Sequence, residues 1–387
     1  MISIPVIIVV AYNRPGSLKR LLDSLSRAVY SLDNVSIIIS IDHKENDSRS
    51  LEVVAIANSF EWKFGHKTVL LRESNLGLRK HILECGDMLL NKFESAIVLE
   101  DDLFVSPYFY EYALQSLPVF SDDTNICGIS LYSPKINEYT GGGFIPLDDG
   151  FNNYFIQSAS SWGQLWTRSQ WRLFKDWYDN NAINGVTNKD NLPLDVSGWP
   201  ESSWKKYFIK YQVETNRYFS YPRVSLSTNF SEIGTHLTVK SNFYQTSLLA
   251  GGKTWSLSTL EQSLAVYDCF YELSSLSVEN LFQSNTEFDL YGTKKLSQIN
   301  SKYLVSVKKC TNPIEQYAND LIPSMLNIFY SIKGEGLSYG KTSDFKDISD
   351  ISPFKDFSHL GLTFVIRLVL FKFRVYLVNK LASIFRR

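Results

Sequence analysis

Three adjacent acids, Glu100-Asp101-Asp102, follow directly on the apolar run Ala96 to Leu99. Carboxylates this close repel one another, so their environment must compensate the charge. A hard divalent cation such as Mg²⁺ or Mn²⁺ does so, taking one or two carboxylates together with phosphate oxygens. A diphosphate leaving group needs the same neutralisation as its bond to a sugar breaks. A solvated acidic turn is the plainer alternative. Arg14 and Asp42, which also follow apolar runs, favour the chemical reading.

The elements that would position these groups follow from periodicity. Residues 5–12 (PVIIVVAY), Val35 to Ile41, Thr68 to Leu71 and Ala96 to Leu99 are near-continuous apolar runs, which fit strands covered on both faces. Between them, Ser17 can cap a helix that places Leu18, Leu21, Leu22 and Leu25 on one face, and helices are predicted around 49–60 and 78–93. The alternation predicts an α/β fold with a parallel, doubly wound sheet in the first 130 residues or so. In such sheets ligands bind beyond the carboxyl ends of the strands, where Asn13, Arg14, Asp42 and the acidic triplet fall.

The Trp- and Tyr-rich stretch 151–240 should complete the sheet and wall a second pocket. It carries a predicted helix from 201 to about 216 and a strand from Arg223 to Thr228, with loops at 141–143 and 180–191. Residues 240–355 have weak periodicity and suggest no function. From Phe371 on, basic and polar residues gather on one side of a predicted helix and large apolar ones fill the rest, apart from Arg374. Such a helix either lies in a membrane interface or packs on the domain. The resulting divisions are 1–135, 136–240, an extension over 241–355, and a basic amphipathic tail over 356–387.

Bulk composition is ordinary: hydrophobic residues are 44 %, charged residues 20 %, and the net charge is −1. Nothing in that balance argues for a nucleic-acid partner. The 14 % of aromatic residues would suit a carbohydrate site, although a large core accounts for them equally well. Cys85, Cys127, Cys269 and Cys310 lack metal-ligand spacing and a disulfide pattern, so they read as reduced thiols of a cytoplasmic protein. The first apolar run is short and has no basic region before it, unlike a signal peptide.

The stretches VVAYNRPGSLKRLLDSL (9–25), NLGLRKHIL (75–83) and VLEDDLFVSPYFYEY (98–112), with Asp42 between them, resemble N-acetylglucosaminyltransferase I and its bacterial relatives. The resemblance covers residues 5–135 best, extends over 155–240, and stops near 245. It implies a GT-A fold and a metal-dependent, inverting transfer of a sugar from a nucleotide-sugar, with UDP favoured, to a glycan or lipid-linked acceptor. Bacterial cell-surface polysaccharide synthesis is the implied setting, with the tail on the inner face of the cytoplasmic membrane.

Carried over by position, the resemblance assigns Arg14 and Asp42 to the nucleotide, Asp101 to donor hydroxyls, and Glu100 to orienting the sugar or the metal's water. Asp102 would bind Mn²⁺ or Mg²⁺. Arg79 and Lys80 would reach the donor, with His81 a weaker choice, although both cations also read as solvated helix charges. Trp162 matches a position beside the acceptor, and His236, in the GTH stretch at 234–236, a second metal ligand. The family's base is an acid near a Trp. Here Glu201-Ser202-Ser203-Trp204-Lys205-Lys206 has that acid displaced, which makes Glu201 the candidate and Asp195 the next. A sugar nucleotidyltransferase would need a Gly-rich basic loop after the first strand, which AYNRPGSL lacks. A non-catalytic module that binds a nucleotide-sugar stays open because the base has moved.

Overall fold

Val6 to Ala11 are buried along their whole length, as a strand inside a parallel sheet requires. The computed structural model describes residues 4–44, 47–230, 242–278 and 281–347. The amino-terminal half runs β1 (Val6–Ala11), α1 (Pro15–Leu25), β2 (Ile37–Ile41), α2 (Ser48–Ser59), β3 (Lys67–Leu71), α3 (Gly77–Asn91), β4 (Ser95–Glu100), β5 (Leu103–Val105), α4 (Phe109–Phe120) and β6 (Ile126–Ser130). It continues through β7 (Asn153–Ile156), β8 (Gln164–Thr167), α5 (Arg168–Asn181), α6 (Leu194–Gly198), α7 (Trp204–Glu214), β9 (Tyr218–Pro222) and β10 (Ser227–Asn229).

With β11 (Val266–Tyr267), these strands other than β5 and β10 form a nine-stranded sheet in the order β11-β7-β9-β6-β8-β4-β1-β2-β3, while β5 and β10 pair separately. The half from β4 to β3 is parallel throughout, and β8 is antiparallel to both β4 and β6. Helices cover both faces. Side chains of Ile7, Val9, Ile97 and Leu99 pack with α1, α2 and α4. Those of Val6, Ile8, Ala96 and Val98 pack with α3, α5 and α7. The expected doubly wound, mainly parallel GT-A arrangement is therefore present.

Two local expectations change. Helix α1 begins at Pro15 rather than after Ser17, because proline at the first helical position needs no N–H partner and has its φ already set. Ser17 is inside the helix and buried. The strand expected over 223–228 is split: β9 ends at Pro222, and β10 starts at Ser227 to pair antiparallel with β5. Arg223 takes the break, donating to the Phe151 and Leu147 carbonyls at 2.7 Å each and pairing with Asp149 at 2.6 Å.

Residues 266–341 have more order than their weak periodicity suggested. β12 (Thr286–Asp289), β13 (Tyr303–Ser306), β14 (Glu315–Tyr317) and β15 (Leu337–Lys341) form a second sheet, ordered β12-β13-β15-β14, with the short α8 (Met325–Phe329) beside it. A charge network joins it to the loop after β11. The Lys294 ammonium meets Asp268 at 2.6 Å and Glu287 at 2.8 Å, and the Glu272 carboxylate accepts from the Leu290 and Tyr291 amides at 2.7 Å each. Lys308 pairs with Asp289 and donates to the Gly292 and Lys294 carbonyls. Burial opposes the Lys294 charge, but Asp268 and Glu287 outweigh it and hold the ammonium protonated. The segment 356–387 and His236 lie outside the described residues.

Removing one member of a buried ion network strands its partners. We expect Lys294→Met to lower unfolding free energy by about 3 kcal/mol in urea titrations, whereas Lys19→Ala, which breaks an exposed pair with Asp23, changes it by less than about 0.5 kcal/mol. Equal effects would show that the network does not tie the second sheet to the first.

Candidate functional site

Register brings the chemistry to one sheet edge. Val10 lies opposite Glu100, and Ala11 opposite Ile41, so β1, β2 and β4 end together. The residues that follow, Tyr12 to Arg14, Asp42, and Asp101-Asp102, emerge side by side. Arg14 sits at the amino end of α1, where its own side chain makes no capping bond. Its guanidinium reaches Asp101 at 2.7 Å and Asp102 at 2.8 Å. The Tyr12 amide donates to the other Asp101 oxygen at 3.2 Å.

The electrostatics follow from burial. Burial pushes the Glu100 carboxyl up to about 8, with Asp102 adding to the shift and Arg14 opposing it. Burial also raises Asp101 to about 6, against the pull of Arg14. The Arg14 charge, penalised by burial, is more than restored by Asp101, Asp102 and Glu100. Alternation along β4 turns Glu100 toward the α7 side, where the nearby Trp204 indole slightly offsets the effect of burial. Its Oε1 atom is buried and meets no hydrogen-bond partner among the described residues. Asp102 is the most open of the three, with a quarter of its side chain exposed.

This set fits a cation held by one protein carboxylate and completed by substrate phosphates, the usual arrangement for Mg²⁺. It does not form an all-protein cage: among the described residues no cluster of three His, Cys, Asp or Glu side chains is arranged to hold a metal. Asp102, with a quarter of its side chain exposed, is the carboxylate that would hold such a cation.

Asp42 lies beneath the edge and is almost fully buried. Its carboxylate accepts from the Leu76 and Gly77 amides at 2.8 and 3.0 Å and from the His43 amide at 2.9 Å, which fixes the start of α3. Gly77 adopts φ 71°, a left-handed conformation that a side chain would oppose. Asn75 donates to the Tyr12 hydroxyl at 3.1 Å and to the His43 carbonyl at 3.0 Å, joining three strand ends. Arg79, on the first turn of α3, approaches Glu201 at 3.8 Å and lies over the Tyr207 ring at 5.1 Å. Lys80 faces Glu84 on the exposed side of the same helix. His81 is in the core, bonded to Ser40 at 2.7 Å, and burial lowers its pKa to about 4.

The acceptor-side candidates lie across α7. Trp162 is half-buried between the Tyr132 ring at 4.6 Å and the Tyr244 ring at 5.1 Å. Gly163 beside it adopts φ 95°, and a Cβ there would come within 3.2 Å of Leu99, so the turn presses directly on β4. Asp195 is exposed on α6 and acts electrostatically on Tyr139 and Tyr244. Glu201 is exposed and held by Lys206 at 2.8 Å and by the Tyr207 hydroxyl. The structure thus unites Arg14, Glu100, Asp101 and Asp102, puts Asp42 and Arg79 on the adjoining strand and helix ends, and sets Trp162 and Asp195 on the far side of α7. Sequence reasoning missed Tyr12 and Asn75, which stood within the stretches that carried the resemblance, and it marked Trp204 only as the Trp beside the candidate base, not as a neighbour of Glu100.

A doubly wound, mainly parallel sheet whose central strands deliver an Arg-compensated acid triplet to their carboxyl edge is consistent with a GT-A fold. Residues 6–172 match the family model of glycosyl transferase family 2. No curated protein matches the chain. Among solved structures, Staphylococcus aureus TarS 1–349 is similar at 15 % identity and TM-score 0.37, over 58 % of this chain and 59 % of that one. Mouse xyloside xylosyltransferase 1 in its apo form is similar at 12 % identity and TM-score 0.38, over 56 % and 83 %. S. aureus TarS 1–349 in complex with UDP is similar at 12 % identity and TM-score 0.35, over 58 % and 59 %. The chain thus spans 59 % of the first of these. The GT-A expectation holds, while the narrower likeness to N-acetylglucosaminyltransferase I is not what these matches single out.

Because the folded protein holds Glu100 and Asp101 protonated at pH values where the unfolded chain ionises them, their contribution to stability is complete below about pH 4. It is lost as pH rises through about 6 for Asp101 and about 8 for Glu100. We expect the urea midpoint of the ligand-free protein to fall across this window, and Glu100→Gln to flatten the fall between pH 6 and 8. Parallel profiles for the two proteins would remove Glu100 from the buried acid group.

Proposed function

We propose that the chain transfers a sugar from a nucleotide-sugar, with UDP as the favoured nucleotide, to a hydroxyl of a glycan or lipid-linked acceptor. The observation that carries this reading is the convergence of Arg14, Asp101 and Asp102 within salt-bridge distance at the β1/β4 edge. Asp102 would hold Mn²⁺ or Mg²⁺ jointly with the donor diphosphate. When bound, that cation neutralises charge developing on the leaving diphosphate. Arg14 offers a second positive group at the same place. Asp42 and the amides it orders at the start of α3 would frame the nucleotide, and Arg79 extends that wall. Asp101 and Glu100 would accept from donor hydroxyls.

The reaction is proposed to invert the anomeric centre in one displacement, with an acid on the acceptor side taking the proton. His236 is proposed as a further metal ligand. Among the described residues no helix is long and apolar enough to cross a membrane, and a membrane surface role for 371–387 in bacterial cell-surface polysaccharide synthesis is likewise a proposal. The nucleotidyltransferase reading is disfavoured because β1 passes into α1 at Pro15 after only three residues, leaving no loop to hold a triphosphate.

Asp102→Ala should reduce UDP release from UDP-sugars by about 10²-fold or more, as expected when one charge-stabilising group is lost. Its melting temperature should stay within a few degrees of wild type, since Asp101 retains Arg14. Turnover by the variant equal to wild type, or wild-type turnover unaffected by chelator, would contradict the metal assignment.

A further inference from the structure

The carboxylate best placed to act on an acceptor is one the sequence did not mark. Glu138, in the loop after β6, is bound through both oxygens by the Lys205 ammonium at 3.0 and 2.8 Å. Both side chains are nearly nine-tenths buried, at 13 % and 11 % exposure. The same ammonium lies over the rings of Trp162 at 5.8 Å and Trp199 at 5.2 Å. Trp162, Trp199 and Tyr244 are each half-buried, so the ion pair lies among aromatic faces that remain open enough to receive a sugar ring.

This cluster adjoins the donor acids. Lys205 follows Trp204, whose indole is near enough to Glu100 to influence it, and the Trp162-Gly163 turn rests on Leu99 of β4. The first turn of α7 therefore stands between two carboxylate centres: the acid triplet on one side and Glu138 on the other. Glu201 is differently situated. It is exposed, and Lys206, the Tyr207 hydroxyl and Arg79 already surround it. The titratable groups facing Glu138 are Lys205 from α7, Tyr132 and Tyr139 from the same loop region, Tyr221 from β9, Tyr244, and Tyr271. Burial drives all five tyrosines upward, so they remain neutral hydroxyls and Lys205 is the one cation among them.

We propose that Glu138 is the general base of the transfer and that Lys205 is the positioning residue that holds its carboxylate in place. The inference rests on the glycosyltransferase reading of the site. In the step, the acceptor hydroxyl gives its proton to Glu138 as its oxygen bonds to the donor's anomeric carbon. The bond from that carbon to the phosphate oxygen breaks, and its electron pair leaves with the nucleoside diphosphate. The displaced acid of the α7 segment is thereby replaced from another loop, and the lysine at the start of α7 serves the replacement.

The test measures UDP release from UDP-glucose, UDP-galactose and UDP-N-acetylglucosamine with Mn²⁺, with alkyl glycosides or water as acceptor, beside UDP binding by calorimetry. Glu138→Gln should cut kcat by about 10²- to 10⁴-fold and leave the UDP Kd within about twofold. Glu138→Asp should recover part of the rate. Because Glu138→Gln leaves Lys205 buried without its partner, the double variant Glu138→Gln/Lys205→Met separates folding from chemistry. It should melt like wild type and be as inactive as the single variant. Turnover by either variant within fivefold of wild type, or a loss confined to Glu201→Gln, overturns the assignment. Weakened UDP binding in proportion to lost turnover also overturns it, since that is the signature of a structural role. Failure of wild type to bind UDP or release it from any donor would instead refute the glycosyltransferase reading itself.

Discussion

Everything at this edge depends on how three consecutive carboxylates survive at the end of a buried strand. Taking one ionised acid out of water is costly, and placing two more beside it multiplies the cost. Arg14 resolves most of this by meeting Asp101 and Asp102 together. Glu100, turned to the opposite face, is left to be protonated or to be satisfied by something that arrives. The solution requires β1 and β4 to be neighbours in register and α1 to follow β1 closely, so that Arg14 stands beside the acids. Fold and site are thus one arrangement: the parallel pairing that buries Val6 to Ala11 also sets the compensating cation beside the acids.

The same economy appears at Asp42. Its carboxylate orders the amides that begin α3, and the turn so formed places Arg79. A group that shapes a binding wall while exposing little of itself is hard to distinguish, from residue type alone, from one that touches the ligand. On the other side of α7 the logic is repeated with a different pair, Glu138 and Lys205, enclosed by aromatic rings instead of backbone amides.

Legibility in the sequence tracked the physical reason for each element. Strands β1, β2 and β4 are buried on both faces, so they had to be continuous apolar runs, and they were readable to within a residue or two. The acid triplet was readable because its repulsion demands an explanation. The Glu138–Lys205 pair was not, because its partners are 67 residues apart and neither neighbourhood repeats a pattern. The nearness of Trp204 to Glu100 was hidden likewise, since nothing local shows that an indole lies by a carboxylate on another element. The second sheet escaped because its strands are short and bury polar groups: Asp289, Ser306 and Lys308 interrupt the alternation that marks a strand. Ser17 misled because a good capping residue was outranked by proline two positions earlier.

The central claim is that Arg14 is the cation around which the donor site is built. Calorimetric titration of UDP in the presence of Mn²⁺ into wild type, Arg14→Lys and Arg14→Ala tests it most directly. The account predicts that Arg14→Ala weakens UDP binding by about tenfold or more, equivalent to roughly 1.4 kcal/mol. Arg14→Lys should fall between, because a single ammonium cannot span two carboxylates as the guanidinium fork does. Equal dissociation constants for all three proteins, each shown to be folded, would contradict it.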